Sequence, residues 1–354
     1  MKMAPILRAM RQWPELQPTL IHTGQHYDAS LSGIFFEQLE MQPPDVHLEV
    51  GSGSHATQTA KLLLRMEEVL VAGPSDGDGF DRVIVVGDVN STLAATLAAT
   101  KLHIPVAHVE AGLRSGDRSM PEEINRLMTD AVADMLLVSE PAGAENLRSE
   151  GHADDTIHLV GNVMIDTLLH QVDQARALDQ LQQQDLQPGK FAMVTLHRPS
   201  NVDHRGVLGK LVDVLVDLSA RLPVVFPVHP RTAAKLDEFG FSNRLEQTSR
   251  VYNLPPMGYR EFLCLTSQAK VIVTDSGGLQ EESTALGIPC LTMRANTERP
   301  ITVSEGTSTL IGQDVDLLNK QLEAVLGGTY KQGSCPKLWD GKASERILDV
   351  LAAG

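Results

Sequence analysis

The residues best suited to chemistry lie in one passage, His108-Val109-Glu110-Ala111-Gly112-Leu113-Arg114-Ser115-Gly116-Asp117-Arg118-Ser119-Met120-Pro121-Glu122-Glu123-Ile124-Asn125-Arg126, which crowds carboxylates, guanidiniums and glycines together. The apolar run Ile104 to Val109 reads as a buried strand, with Glu110 at its end. An acid closing such a strand costs stability unless it is paired or working, so its carboxylate is expected to face a crevice. Gly112 and Gly116 relax the backbone, and Pro121, Glu122 and Glu123 read as the first turn of a helix, with proline at N1 and acids at the positive end of the dipole. Helix initiation alone accounts for Glu122 and Glu123. It does not account for Glu110.

Three other clusters share this character. The apolar strand Arg82 to Val86 runs into Gly87-Asp88-Val89-Asn90-Ser91-Thr92 and an alanine-rich helix, the outline of a crevice for phosphate or sugar in which Asp88 either caps the helix or faces the ligand. His197 before Arg198, and His229 before Pro230 and Arg231, stand at the ends of two further strands. One such histidine is ordinarily structural, but two beside arginines are harder to dismiss. Asp275-Ser276-Gly277-Gly278-Leu279-Gln280-Glu281-Glu282 follows an apolar strand and opens a helix, so its backbone amides form an anion cradle; a plain glycine turn with a serine cap would leave Glu282 unexplained. Acids at strand ends with a diphosphate cradle suit a nucleotide-activated substrate held in a cleft between two domains. No aspartate-rich or Cys/His cluster suggests a metal. Gly51-Ser52-Gly53-Ser54-His55-Ala56 imitates a dinucleotide fingerprint but follows earlier αβ structure, so it reads as a serine-rich helix start. With no metal and no cofactor implied, acid–base work at the sugar remains.

The elements that must position these groups alternate. A chain of 354 residues exceeds one core, and 42% apolar with 21% charged residues is ordinary for a globular protein. A net charge of −15 argues against nucleic acid or an anionic membrane as partner. The odd set Cys264, Cys290 and Cys335 lacks metal-ligand spacing and fits a reducing cytoplasm. No run reaches transmembrane length, and Arg8 and Arg11 interrupt any signal-like segment. Helical spacing covers Lys2 to Trp13, Leu31 to Leu39 and the stretch from Ala56 to Leu70, with a short strand at Thr19 to Thr23 and extended chain at Asp45 to Val50. An acidic glycine-rich loop spans Pro74 to Asp81, and strands are expected at Met135 to Ser139 and Thr156 to Val160. A glutamine-rich helix from Val163 to Gln184, closed by Gln187-Pro188-Gly189, is the best candidate for the interdomain boundary. The alternation then restarts, with strands at Phe191 to His197, Val224 to His229, Lys270 to Thr274, Pro289 to Met293 and Thr309 to Ile311. The fold class is α/β, with two doubly wound Rossmann-like domains.

Together, Thr23-Gly24-Gln25-His26, Gly87 to Thr92, His108 to Arg126, Thr195-Leu196-His197-Arg198 and Asp275 to Glu282 resemble the non-hydrolysing UDP-N-acetylglucosamine 2-epimerases, over nearly the whole chain. The resemblance implies a glycosyltransferase-B-like fold, with a first domain over 1–162 bearing catalytic carboxylates, a UDP-binding domain over 163–335, a C-terminal helix over 336–354 crossing back, and usually a homodimer. It also implies reversible conversion of UDP-N-acetylglucosamine to UDP-N-acetylmannosamine, by anti elimination of UDP to 2-acetamidoglucal and re-addition with a proton on the opposite face. By position, the family's catalytic carboxylates fall on Asp88, Glu110 and Glu122 and its catalytic histidine on His197. Its nucleotide contacts fall on Ser276, Gly277 and Gly278 for phosphate, Glu282 for ribose, and Met257 and Phe262 beside uracil; Lys2 and Arg299 match further substrate contacts, and His229 is grouped with them.

The chain departs from the family's pattern in three places. Met1-Lys2-Met3-Ala4-Pro5 matches the segment after the family's first strand and its Gly-Thr-Arg-Pro-Glu-Ala loop, so a first strand and a substrate-binding arginine are expected to be missing. Thr19 to Thr23 and Arg82 to Val86 should then pair directly or leave backbone groups unpaired, with low stability or weak activity as the result. Asp28 replaces a glutamine usual in members activated by their own substrate, which argues against such activation, and Pro199-Ser200-Asn201 replaces a more usual acid before asparagine. The rival readings are a glycosyltransferase of the same fold, which needs an acceptor, and a truncated nucleotide-sugar-binding pseudoenzyme. A hydrolysing epimerase would usually need room for a kinase domain.

Overall fold

The computed structural model describes residues 1–24, 33, 36–74 and 79–353. Gln25, His26 and Asp28, most of the helix expected from Leu31, and the centre of the Pro74 to Asp81 loop lie outside the described residues. The chain divides into two compact units, Met1–Thr167 with Lys337–Gly354, and Leu168–Pro336.

The first unit opens with helix α1 (Met3–Met10), followed by β1 (Ile21–His22) and β2 (Val46–His47), which pair in parallel. Helix α2 (His55–Ala72) starts where the Ser54 side chain accepts the N–H of Thr57, so Gly51 to Ala56 is a capped helix start. A four-stranded parallel sheet follows in the order β3 (Val83–Val86), β4 (Val106–Ala111), β5 (Met135–Val138) and β6 (Ile157–Leu159). Its crossovers are α3 (Asn90–Lys101), α4 (Pro121–Val132) and α5 (Pro141–Ser149). Apolar side chains of α2, α3 and β3 make one core. Another joins α1 and β4 to the C-terminal helix Ala343–Ala353. The start of that C-terminal helix is tied down by Asp166, which accepts from the backbone N–H of Ala343 and Ser344 and from the Ser344 hydroxyl. No pairing joins β1 to β3 among the described residues, so the sheet of this unit stands in two parts.

Helix α6 (Val163–Arg176) carries the chain out of the first unit. The single long helix expected through Gln184 is interrupted: α6 ends at Arg176, the chain turns through Ala177 to Asp179, and a short α7 (Gln180–Gln183) buries Leu181. Helices α8 (Arg205–Ser219) and α9 (Pro230–Phe239) flank the second unit's sheet. Its six parallel strands run in the order β12 (Ser308–Leu310), β11 (Cys290–Thr292), β10 (Val271–Thr274), β7 (Ala192–Thr195), β8 (Val224–Pro227), β9 (Val251–Leu254). Strand β9 has no counterpart among the strands expected from sequence; Val251-Tyr252-Asn253-Leu254 is a partly exposed edge strand, without the wholly apolar run that marks a central one. The order reverses between β7 and β10, a topological switch point of the kind where doubly wound sheets bind ligands beyond the carboxyl ends of their strands.

Candidate active site

In the first unit the site gathers around Gly87, which follows β3 with φ at +72°. A Cβ there would lie 2.7 Å from the Lys2 Nζ and 3.3 Å from the Glu110 Oε2, so at this left-handed φ glycine gives the backbone its close approach to both groups without strain. Glu110 interrupts the β4 ladder with φ at +72°, an irregularity between Val109 and Ala111. A non-glycine residue held there is strained, and such strain collects at functional positions. Its side chain is almost fully buried and ion-paired with Lys2, at the start of α1.

Asp88 does not cap α3, whose cap position is Val89 and which has no side-chain cap bond. Instead its carboxylate receives Arg126 Nη2 at 2.6 Å and Nε at 3.0 Å, and Asn125 donates to its carbonyl. Arg126 reaches the other way to Glu123 at 2.6 Å. Glu123 also accepts from Ser115 N and Oγ and Gly116 N, which folds the loop after β4 onto the start of α4. Burial alone would raise the Glu123 carboxyl, but these donors bring it below its ordinary range. Glu122, in the same helical turn, is half-buried, and its side chain makes no hydrogen bond or ion pair among the described residues. Of the two acids after Pro121, the inner one holds the fold and the outer one remains available.

In the second unit His197 and Asp275 follow β7 and β10, the neighbouring strands at the switch point. Asp275 is fully buried and accepts the backbone N–H of His197 and Arg198 and the Asn201 amide, while its Oδ1 lies 2.9 Å from the His197 Nδ1. Burial pushes the Asp275 carboxyl up, yet His197 and these donors hold it below the usual range. With Nδ1 directed at a carboxylate, Nε2 of His197 is left to meet a ligand. The His229 ring lies 5.5 Å away, its Nδ1 accepting the N–H of Arg231 at the start of α9. Burial, then His197, lowers the pKa of His229.

A cavity of about 250 Å³ opens here and brings together His197, His229, Met257, Phe262 and Ser276. Ser276 occupies the cap position of helix α10 (Gly277–Ala285) without a side-chain cap bond, so the plain serine-capped turn is not what forms. The first amides of α10 therefore keep their donors. A Cβ on Gly277 would lie 2.9 Å from Glu298 Oε1 and 3.0 Å from Arg299 Nη1, so Arg299 stands directly behind the cradle, held by Glu281 and Glu298. Glu282 does not line the cavity: it is buried, accepts the Tyr259 hydroxyl at 3.0 Å, and has its pKa pushed up to about 7 by burial and then by Glu281. Sequence reasoning missed Asp275 as the partner that orients His197, and Glu123 with Arg126 as the clamp on Asp88. The spacing of three between Glu123 and Arg126 on one helix face was the available signal for the second.

A family model described as UDP-N-acetylglucosamine 2-epimerase matches residues 8–352. The chain belongs to the UDP-N-acetylglucosamine 2-epimerase family. A relative from Methanococcus maripaludis named UDP-N-acetylglucosamine 2-epimerase is 40% identical over 99% of this chain and 94% of its own length. A Pseudomonas aeruginosa relative named UDP-2,3-diacetamido-2,3-dideoxy-D-glucuronate 2-epimerase is 38% identical over 99% and 96%. Among solved structures, the Methanocaldococcus jannaschii UDP-GlcNAc 2-epimerase in complex with UDP-GlcNAc and UDP is similar with a TM-score of 0.89 at 38% identity, covering 100% of this chain and 96% of that one. The family's two-domain α/β, glycosyltransferase-B-like fold is therefore the fold of this protein.

Proposed function

We propose that this epimerase-family protein interconverts UDP-N-acetylglucosamine and UDP-N-acetylmannosamine by eliminating and re-adding UDP. The observation that carries this reading is the pair of carboxylates beside Gly87, Glu110 with Lys2 and Asp88 with Arg126, two acids on adjacent strand ends with separate cations. The C2 proton of the sugar has no neighbouring carbonyl, so its direct removal and return is too costly. Removing it as the anomeric C–O bond breaks places the electron pair in a C1–C2 double bond and the negative charge on UDP. Returning a proton to the other face of C2 while UDP re-adds at C1 completes the inversion. Two faces need two acid–base groups, which Asp88, Glu110 and the available Glu122 supply.

In this reading the second unit binds the nucleotide. The Ser276 hydroxyl and the amides of Gly277 and Gly278 receive phosphate, backed by Arg299, and Met257 and Phe262 pack on uracil; Glu282, buried against Tyr259, supports the start of α10 from behind. His197, oriented by Asp275, stabilises the departing diphosphate with His229 beside it, and Lys2 holds Glu110 and the sugar. The protein works as a cytoplasmic homodimer, supported by Leu64 and Val71, seven apart and exposed on one face of α2; a single-chain mass by light scattering would remove that assignment.

The test is incubation with UDP-N-acetylglucosamine in heavy water, with UDP-2,3-diacetamido-2,3-dideoxy-glucuronate offered separately. Solvent deuterium is expected at C2 of both epimers of the N-acetylated sugar. Epimerisation with the C2 hydrogen retained would exclude the elimination, and turnover of the glucuronate alone would change the substrate.

A further inference from the structure

His108 and Asp130 lie beneath the carboxylates and touch neither. His108 is on β4, two residues before Glu110, and its side chain is fully buried, as is that of Asp130 on α4. The ring spans two acceptors. Its Nε2 lies 2.9 Å from the Gly87 carbonyl, and its Nδ1 lies 2.6 Å from Asp130 Oδ1. A carbonyl can only accept, so Nε2 bears a hydrogen, and a second proton sits between Nδ1 and Oδ1. The other oxygen of Asp130 accepts the backbone N–H of Gly112 at 3.0 Å and faces Arg114 Nη1 at 2.7 Å.

These bonds converge on the backbone that carries the proposed chemistry. Gly87 immediately precedes Asp88, and its Cα faces the Lys2–Glu110 pair. Gly112 stands two residues after Glu110, beyond the break in the ladder. We infer that His108 and Asp130 are a positioning pair for the reaction: the His108 ring fixes the Gly87 carbonyl, and with it the separation of Asp88 from the Lys2–Glu110 pair, while Asp130 fixes the far side of Glu110 through Gly112. This rests on the reading of Asp88 and Glu110 as the acid–base groups. Nothing else donates a hydrogen bond to the Gly87 carbonyl among the described residues, so the histidine controls the loop's seat.

The two amide replacements of histidine separate positioning from packing. In His108→Gln the amide nitrogen can reach the place of Nε2 and keep the Gly87 bond, whereas in His108→Asn it reaches the place of Nδ1 and keeps Asp130 instead. Each variant loses one bond of a buried ring, so both should melt lower by similar amounts. If His108 positions the loop, His108→Gln retains kcat within about threefold and His108→Asn loses about tenfold or more, with KM and UDP affinity unchanged in both. Equal loss of kcat in both, tracking the melting temperature, would overturn the inference. Amide hydrogen exchange over residues 85–92 reads the same order without turnover. Faster exchange in His108→Asn than in His108→Gln is expected, and equal rates would overturn the inference even if the wild-type protein epimerised neither sugar, a failure that would belong to the proposed function instead.

Discussion

At the residue scale, neighbouring acids divide between holding the fold and, in the proposed function, reacting. Glu123 is buried in a clamp of Arg126 and three loop donors, Glu122 beside it is available, and Asp88 shares the same arginine through its outer face. Replacing Glu110 by Gln or Asp88 by Asn should therefore slow turnover by about a hundredfold or more with UDP affinity little changed, a loss typical of positioned acid–base groups. Glu123→Gln should behave differently, costing about 3 kcal/mol of stability by breaking a buried ion pair. Steady-state kinetics with denaturant unfolding of the three variants distinguishes these outcomes, and near-normal turnover in Asp88→Asn would return Asp88 to a structural role. Glu282 gives a prediction in pH. Its folded pKa, about 7, lies above the ordinary 4.5, so the folded state favours the protonated acid. The contribution is full below about pH 4.5 and is lost as pH rises through 7. Asp275 runs the other way, its lowered pKa giving stability that is lost as pH falls into the acid range. Melting temperature between pH 5 and pH 8 should accordingly fall less in Glu282→Gln than in wild type; identical slopes would mean that Glu282 is ionised in the folded protein.

At the element scale, much of the fold was readable because buried parallel strands are continuous apolar runs, as Val83 to Val86, Val224 to Pro227 and Val271 to Thr274 are. The switch-point pair His197 and Asp275 could be read as two strand ends, but their adjacency depends on strand order, which no local pattern encodes. His108 and Asp130 are separated by 22 residues, and Asp166 reaches its partner Ala343 across 177, so neither contact leaves a spacing signal. The broken α6 and α7 escaped because the turn at Ala177 to Asp179 carries neither glycine nor proline. Glycines after β4 were legible as a pair, yet the structure makes them unequal. Gly112 has φ at +79° and a Cβ there would meet the Gly143 carbonyl oxygen at 2.3 Å, whereas Gly116, at +71°, has nothing within 4 Å. Gly116→Ala should cost only about 1 kcal/mol, the strain of a left-handed alanine. Gly112→Ala must also displace α5 from β4, so it should leave little folded protein. Circular dichroism melts of both variants check this, and comparable stability would show that α5 can shift.

For the whole molecule, the two units have separate cores and, in the proposed function, separate tasks. The first unit's sheet is divided between β1–β2 and β3 to β6, while the second unit's sheet is continuous over six strands. Binding energy delivered to one unit is therefore expected to appear there first. At about a hundred times its Kd, a ligand that binds only the folded state adds about 2.7 kcal/mol. UDP alone should slow amide exchange in the second unit at the ends of β7 and β10, around His197 and in the first turn of α10. It should leave residues 87–92 and 110–126 of the first unit nearly unchanged. The complete UDP-sugar should protect those two first-unit stretches as well, because in the proposed function only the sugar meets Asp88, Glu110 and Glu122. Exchange measured by mass spectrometry with UDP and then with UDP-N-acetylglucosamine separates the two sets. Should UDP alone protect residues 110–126 as strongly as it protects the start of α10, the nucleotide would sit against the carboxylates, and the assignment of acid–base work to the first unit would have to be abandoned.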